Sequence, residues 1–376
     1  MPISPPLQFE TVCIASTRMQ YINVVEAAAS LGFSFESSLL VAPEAMRIRL
    51  GEPKEPWGDV RWYSYGRDIG RLSRWLGRSA LGRASRTVDH VRMFAQLLPP
   101  DLKGGRLVLG NILDRRLRHV ANALDPAELV LIDDGTATIV VAQRLRDQPI
   151  QSVLARVVEK GLRLDTRYPT RGTLFTIYDV DLPPSWTLRH NEYSVLGAKL
   201  RSVTTANEAL IIGGPYVDYG WIDLDDYITH LEGIQEWART PITYVPHGKE
   251  SASVIAAIES ALGCRTWRPP EALEVALAHR GVVPRHVIGF YSSFLPNAAM
   301  LFGGRCDVLA LDIAFPYMPE AIRPGIEDVY DYLRMNVQLP NFAVVTSEAL
   351  HTRPAHIGIV AEEPNRATLQ SSGGKK

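Results

Sequence analysis

With 376 residues the chain exceeds what one ordinary hydrophobic core supports and suits two domains of typical size. Apolar residues make up 46% and charged residues 22%, a soluble globular balance, and 40 basic against 41 acidic side chains leave a formal charge of −1. That near-neutral field argues against a nucleic-acid partner and against a long basic groove for a polyanion. Cys13, Cys264 and Cys306 show no Cys-x-x-Cys spacing and read as reduced core thiols. The opening Met1-Pro-Ile-Ser-Pro-Pro6 lacks the basic region and apolar run of a signal peptide, so a cytoplasmic location is expected.

The first predicted element is an apolar strand, Thr11 to Ser16, running through a short polar turn into a helical pattern that lasts to Ala29. Further strands are expected at Ser38 to Val41, Val60 to Tyr65 and Leu107 to Asn111. Between Arg61 and Arg92 lie eight arginines against Asp68 and Asp89, with Trp62, Leu72, Trp75, Leu76 and Leu81 interleaved. The segment reads as a basic amphipathic helix or helix pair, either a solvated face or a peripheral contact with an anionic inner-membrane surface. Arg115, Arg116 and Arg118 read as an exposed helix face.

Leu129 to Ile132 form an apolar run typical of a strand covered on both faces, and it ends in Asp133-Asp134-Gly135 before a helical pattern from Thr136 to Leu145. The acid pair therefore sits at a strand's carboxyl end, the rim where open α/β sheets bind ligands. Mutual repulsion lets one carboxyl hold a raised pKa and accept a proton near neutral pH. The alternative is a plain turn with an N-cap.

From Leu162 to Arg201 the prolines 169, 183 and 184 and the weak periodicity suggest an interdomain linker. Strand Glu208 to Ile212 then ends in Gly213 and Gly214, which suit close backbone approach to a ligand. Asp223, Asp225 and Asp226 precede helix Tyr227 to Trp237 and read as caps, with Asp225 and Asp226 the alternative proton acceptor. The Asp179-x-Asp181 and Asp223-x-Asp225 spacings could hold a metal with a sugar diphosphate, but the first abuts the linker and the second reads as capping. Strand Thr243 to Val245 runs into His247, and strand Val287 to Tyr291 into Ser292 and Ser293 ahead of the apolar stretch Phe294 to Phe302. Helices Ser253 to Leu262, Pro270 to His279 and Pro324 to Met335 and strand Asp307 to Asp312 continue the alternation, and the tail Glu362 to Lys376 is expected to be disordered.

The order Asp-Asp-Gly, strand-end His, then Ser-Ser resembles the signature of bacterial sialyltransferases of the lipooligosaccharide sialyltransferase and polysialyltransferase families. Thr17-Arg-Met-Gln20-Tyr-Ile-Asn23-Val-Val-Glu26 resembles their Thr-Pro-Leu-Gln-x-x-Asn-x-x-Glu opening, and Tyr244-Val-Pro-His247-Gly248-Lys-Glu250 their Tyr-x-Pro-His-Pro-x-Glu segment, with Gly248 in place of the second proline. Phe290-Tyr-Ser-Ser-Phe-Leu295 resembles their third motif. The resemblance implies a GT-B arrangement, two Rossmann-like domains facing across a cleft, an acceptor-side domain at 1–195 and a CMP-sugar domain at 196–361. It implies inverting transfer of sialic acid or another nonulosonic acid from a CMP-sugar to a glycan or glycolipid acceptor, with no cofactor and no metal. Asp134 or Asp133 would be the base and His247 the proton donor to the departing phosphate. Gly135, Gly213, Gly214, Gly248, Glu250, Ser292 and Ser293 would bind the donor, the serines through hydroxyls and helix-start N–H groups, and Gln20 and Asn23 the acceptor. The alternatives are a GT-B enzyme using a UDP- or GDP-sugar and a non-catalytic nucleotide-sugar or glycan-binding subunit.

Overall fold

The computed structural model describes residues 9–50, 52–64, 80–100, 102–148, 157 and 159–352. The first half builds one parallel sheet from β1 (Thr11–Ile14), β2 (Ser38–Pro43), β3 (Asp59–Tyr63), β4 (Arg106–Leu109), β5 (Glu128–Ile132), β6 (Gly172–Thr176) and β7 (Trp186–His190). Their order is β3-β2-β1-β4-β5-β6-β7, and every pairing is parallel. The second half repeats the plan with β8 (Thr204–Ile212), β9 (Ile242–Val245), β10 (Arg265–Thr266), β11 (Val282–Gly289), β12 (Asp307–Asp312) and β13 (Phe342–Thr346), in the order β10-β9-β8-β11-β12-β13. Central strands are buried on both faces, which is why β1, β5, β8 and β12 read as continuous apolar runs rather than alternating ones. Chain order reverses between β1 and β4 and again between β8 and β11, and at such switch points the carboxyl ends of strands splay to leave a crevice.

Several expectations change here. The stretch read as a linker holds β6 and β7, two parallel strands completing the first sheet; their prolines lie in the connections, outside the paired residues. Helix Ser194–Leu200, with residue 195 in its first turn, joins the two sheets. Arg118 is buried rather than exposed: its guanidinium donates to the carbonyls of Thr166, Ile112 and Leu113 and lies 4.3 Å over the Tyr168 ring. Of the arginine-rich segment, residues 65–79 lie outside the described residues; Arg61 itself sits in β3, paired with Asp59 and donating to the Leu97 carbonyl. The tail 362–376 is likewise outside. The last described helix, Ser347–Thr352, stays on its own domain, where Ser347 bonds His230 at 2.9 Å. Among the described residues no helix is long and apolar enough to cross a membrane. Cys13 and Cys306 are buried free thiols, while Cys264 is only half-buried.

The two halves meet along helix Arg18–Leu31. Gln20, Asn23 and Glu26 recur every third residue on one face and are 1%, 0% and 2% exposed. Glu26 accepts from the backbone N–H of Val195 at 3.0 Å and of Leu196 at 2.7 Å, satisfying the start of the helix that joins the sheets. Asn23 donates to the Asp133 carbonyl and accepts from Asn191, each at 3.1 Å. Beside this ladder, Met19 and Ile22 pack onto the second domain's core around Leu196, Phe294 and Leu295. Glu26→Ala is expected to strand two buried N–H groups and to lower unfolding stability by about 2–4 kcal/mol, measured by urea denaturation. An unchanged midpoint would show that this carboxylate does not tie the halves together.

Candidate active site

Strand β5 delivers Asp133 and Asp134 to the carboxyl edge of the first sheet, and Gly135 turns the chain there with φ at +66°, a left-handed conformation costly for side-chain-bearing residues. The next helix starts at Ala137, and Thr138 accepts from the Asp134 N–H at 3.2 Å. The two acids have different surroundings. Asp133 is 3% exposed; one oxygen accepts from the Thr176 hydroxyl at 2.5 Å and the other from the Ile177 N–H at 2.9 Å. Burial pushes its carboxyl up to about 7 despite these donors. Each oxygen of Asp133, expected as the alternative base, thus already holds a donor from the β6 end of the sheet. Asp134 is half-buried, and its Oδ1 accepts from Gln20 Nε2 at 2.7 Å. Among the described residues its Oδ2 accepts no hydrogen bond. Burial raises its pKa, opposed by the Gln20 donor.

Gln20 and Asn23, expected to bind the acceptor, are buried, and each amide bonds the protein at both ends, Gln20 through the Ser16 N–H and Asp134, Asn23 through Asn191 and the Asp133 carbonyl.

On the second sheet, β9, β8 and β11 are neighbours, so His247, Gly213 and Ser292 follow the carboxyl ends of three adjacent strands. At about 4.8 Å between strands, the His247 and Ser292 edges lie roughly 10 Å apart. His247 is exposed; its Nδ1 accepts from the Lys249 N–H at 3.2 Å, so the neutral ring carries its proton on Nε2. Partial desolvation of the ring first, and Lys249 second, lower its pKa. Glu250 is 7% exposed and accepts from the Tyr244 hydroxyl at 2.6 Å and from the His247 N–H. Burial raises it to about 7. This carboxyl, expected to bind the donor, also shapes the turn that carries His247.

The glycine expectations divide. A Cβ at Gly213 would strike the Tyr244 hydroxyl and Glu250, and one at Gly214 the Tyr216 ring, so the missing side chain at each makes room for the protein's own side chains. Gly248 has open space around its Cβ direction and no positive φ, so it imposes no special backbone geometry. Ser292 Oγ accepts from the Phe294 N–H at 3.3 Å, the Leu295 N–H goes to the Ser292 carbonyl, and Pro296 has none. The helix-start N–H groups expected to bind phosphate are therefore mostly engaged. The Ser293 hydroxyl makes no bond among the described residues: Ser293 is the N-cap yet makes no side-chain capping bond.

The two edges touch. A Cβ built on Gly135 would lie 2.7 Å from Ser293 Cβ and 2.8 Å from its Oγ, so the acid pair and the serine pair, 158 positions apart in sequence, share one cleft floor. Asp225 and Asp226 are exposed in the first turn of helix Leu224–Ala238, complementing its dipole, and Asp179 and Asp181 are exposed in the β6–β7 connection. Among the described residues no group of three or more His, Cys, Asp and Glu is arranged to hold a metal ion. Sequence reasoning passed over Thr176, Ile177 and Asn191, the partners of Asp133 and Asn23, because they fall in the stretch read as a linker. It also passed over Tyr219, whose hydroxyl accepts from Lys249 Nζ at 3.0 Å beside His247.

No protein-family model matches the chain, and no curated protein matches it. Solved structures do. The UDP-GlcNAc 2-epimerase of Methanocaldococcus jannaschii, in complex with UDP-GlcNAc and UDP, is 12% identical with a TM-score of 0.50, over 92% of this chain and 94% of that one. The α/β-galactoside α-2,3-sialyltransferase of Photobacterium phosphoreum is 10% identical with a TM-score of 0.45, over 90% and 98%. The GT-B domain of a Photobacterium damselae sialyltransferase is 9% identical with a TM-score of 0.44, over 89% and 99%. At such identities the likeness is one of fold: two Rossmann-like domains facing across a cleft, the GT-B arrangement.

Gly135→Ala is expected to cost about 1–2 kcal/mol from the left-handed backbone alone, and more from its collision with Ser293, whereas Gly248→Ala should be neutral in a thermal melt. Equal melting temperatures for the two variants would contradict the cleft geometry. Asp133 and Glu250, both raised to about 7, keep protons in the folded chain that the unfolded chain releases near pH 4. Unfolding free energy should therefore fall as pH rises between about 4 and about 7 and level off above that. Urea titrations across this window, with Asp133→Asn flattening the slope, check the sign.

Proposed function

We propose that the protein is an inverting, metal-independent glycosyltransferase that moves sialic acid or a related nonulosonic acid from a CMP-sugar to a glycan or glycolipid acceptor. The observation that carries this reading is the contact of Gly135 with Ser293, which brings a carboxylate edge of one domain against a hydroxyl edge of the other. Such a transfer needs those two chemistries on opposite sides of the anomeric carbon.

Asp134 is the base. Its raised pKa strengthens it as a proton acceptor near neutrality, and its Oδ2 is open. The acceptor oxygen bonds to the anomeric carbon as its proton passes to Asp134, and the carbon–oxygen bond to CMP breaks with its electron pair leaving on the phosphate. His247 meets that developing charge with its Nε2–H, and a bound phosphate raises the imidazole pKa toward proton donation. The Ser293 hydroxyl and the Lys249 ammonium add a donor and a positive charge along the same edge. These groups fill the charge-stabilising role that a divalent ion plays elsewhere.

The deciding experiment measures nucleotide release from CMP-sialic acid, CMP-Kdo and a set of UDP- and GDP-sugars with EDTA present. Turnover of a CMP-sugar is expected, with kcat falling about a hundredfold or more in Asp134→Asn and in His247→Ala. Turnover confined to UDP- or GDP-sugars assigns the other donor class, and binding without turnover assigns a non-catalytic subunit. Full activity in both variants removes the two residue roles.

A further inference from the structure

We propose, on the reading of Asp134 as the base, that Gln20 is the positioning residue of this site: its amide holds one Asp134 oxygen and leaves the other to take the acceptor proton. Two hydrogen bonds and one close wall fix that amide. Gln20 Oε1 accepts from the Ser16 N–H at 2.7 Å, which identifies the oxygen end and turns Nε2 toward Asp134 Oδ1, also at 2.7 Å. Thr17 Oγ1 accepts from the Gln20 N–H at 3.1 Å, so helix capping is done by Thr17 and not by the amide. Behind Gln20 stands Gly110, at the end of β4, where a Cβ would come within 2.8 Å of Gln20 Cδ and Nε2. The side chain is walled into one conformation.

The groups around Asp134 come from four elements. Gln20 comes from helix Arg18–Leu31, Thr138 from helix Ala137–Asp147, the neighbouring carboxyl of Asp133 from the end of β5, and Ser293 lies against Gly135 across the cleft. Asp133 is the other titratable member of this set, and its oxygens are tied to Thr176 and Ile177. Gln20 is thus the side-chain donor that acts on the Asp134 carboxylate. A donor to the charged form opposes burial, so the base keeps enough carboxylate character to work near neutrality while its free rotation is removed.

The test uses the full-length protein labelled with 13C at aspartate carboxyls, with the Asp134 signal assigned by its loss in Asp134→Asn. Gln20→Met keeps side-chain length and removes the donor; Gln20→Glu replaces the donor by a second carboxyl. In Gln20→Met the Asp134 titration midpoint should rise by about one pH unit, and in Gln20→Glu further, because two carboxyls then share a proton. In transfer assays the acid limb of kcat should move up with it: about a tenfold loss below neutrality that shrinks as pH rises, with donor KM nearly unchanged. An unmoved Asp134 midpoint in a folded Gln20→Met overturns the assignment, as does a kcat loss equal at every pH. Should Gln20→Met fail to fold, the Gln20→Glu midpoint decides alone. A midpoint that moves in a protein transferring no CMP-sugar keeps Gln20 as the positioning residue and removes the transfer reading instead.

Discussion

One buried polar face fixes the first helix. Gln20, Asn23 and Glu26 give that helix three buried hydrogen-bonding side chains, the last of which bonds the start of the helix that joins the two sheets, while Met19 and Ile22 pack onto the second domain's core. Each reaches a different structure: the acid-pair edge, the chain after β7 and the start of the joining helix. Directional bonds of this kind fix register in a way that hydrophobic contact does not, because a shift of one ångström breaks them while barely altering buried area. The cleft floor, where Gly135 meets Ser293, inherits its geometry from that face.

Desolvation then divides the labour of the acid pair. Two adjacent aspartates with similar intrinsic acidity end up unlike because one is enclosed and doubly bonded, and the other keeps a face open. The same physics recurs across the cleft, where burial raises Glu250 and the Tyr244 hydroxyl and the His247 N–H hold it in place. In both domains a buried carboxyl shapes the turn beside a more exposed titratable neighbour, Asp134 or His247.

Much of the fold was legible because parallel sheets write continuous apolar runs: β1, β5, β8 and β12 each announce themselves, with helical periodicity between. β6 and β7 were not legible, since prolines in their connections and the polar outer face of β7 mimic a linker. The acid pair, the strand-end His and the serine pair were readable as strand termini. The acid pair's partners were not, because Thr176 and Gln20 lie 43 and 114 positions from the aspartates they bond, and such separations leave no local pattern. The crowding of Gly213 by Tyr244 and Glu250, which come from other elements, was not legible either.

The crowding at Gly213 also bears on how this edge can change over time. Its missing side chain is the room that the Tyr244 hydroxyl and the Glu250 carboxyl occupy, and that carboxyl in turn holds His247. A mutation at any one of positions 213, 244 and 250 is felt by the other two, so drift through single substitutions is obstructed and the three should covary. Grafting the His247 turn onto another scaffold would have to carry all three residues together, since transplanting the motif as a linear segment from 244 to 250 leaves the glycine behind on a different strand.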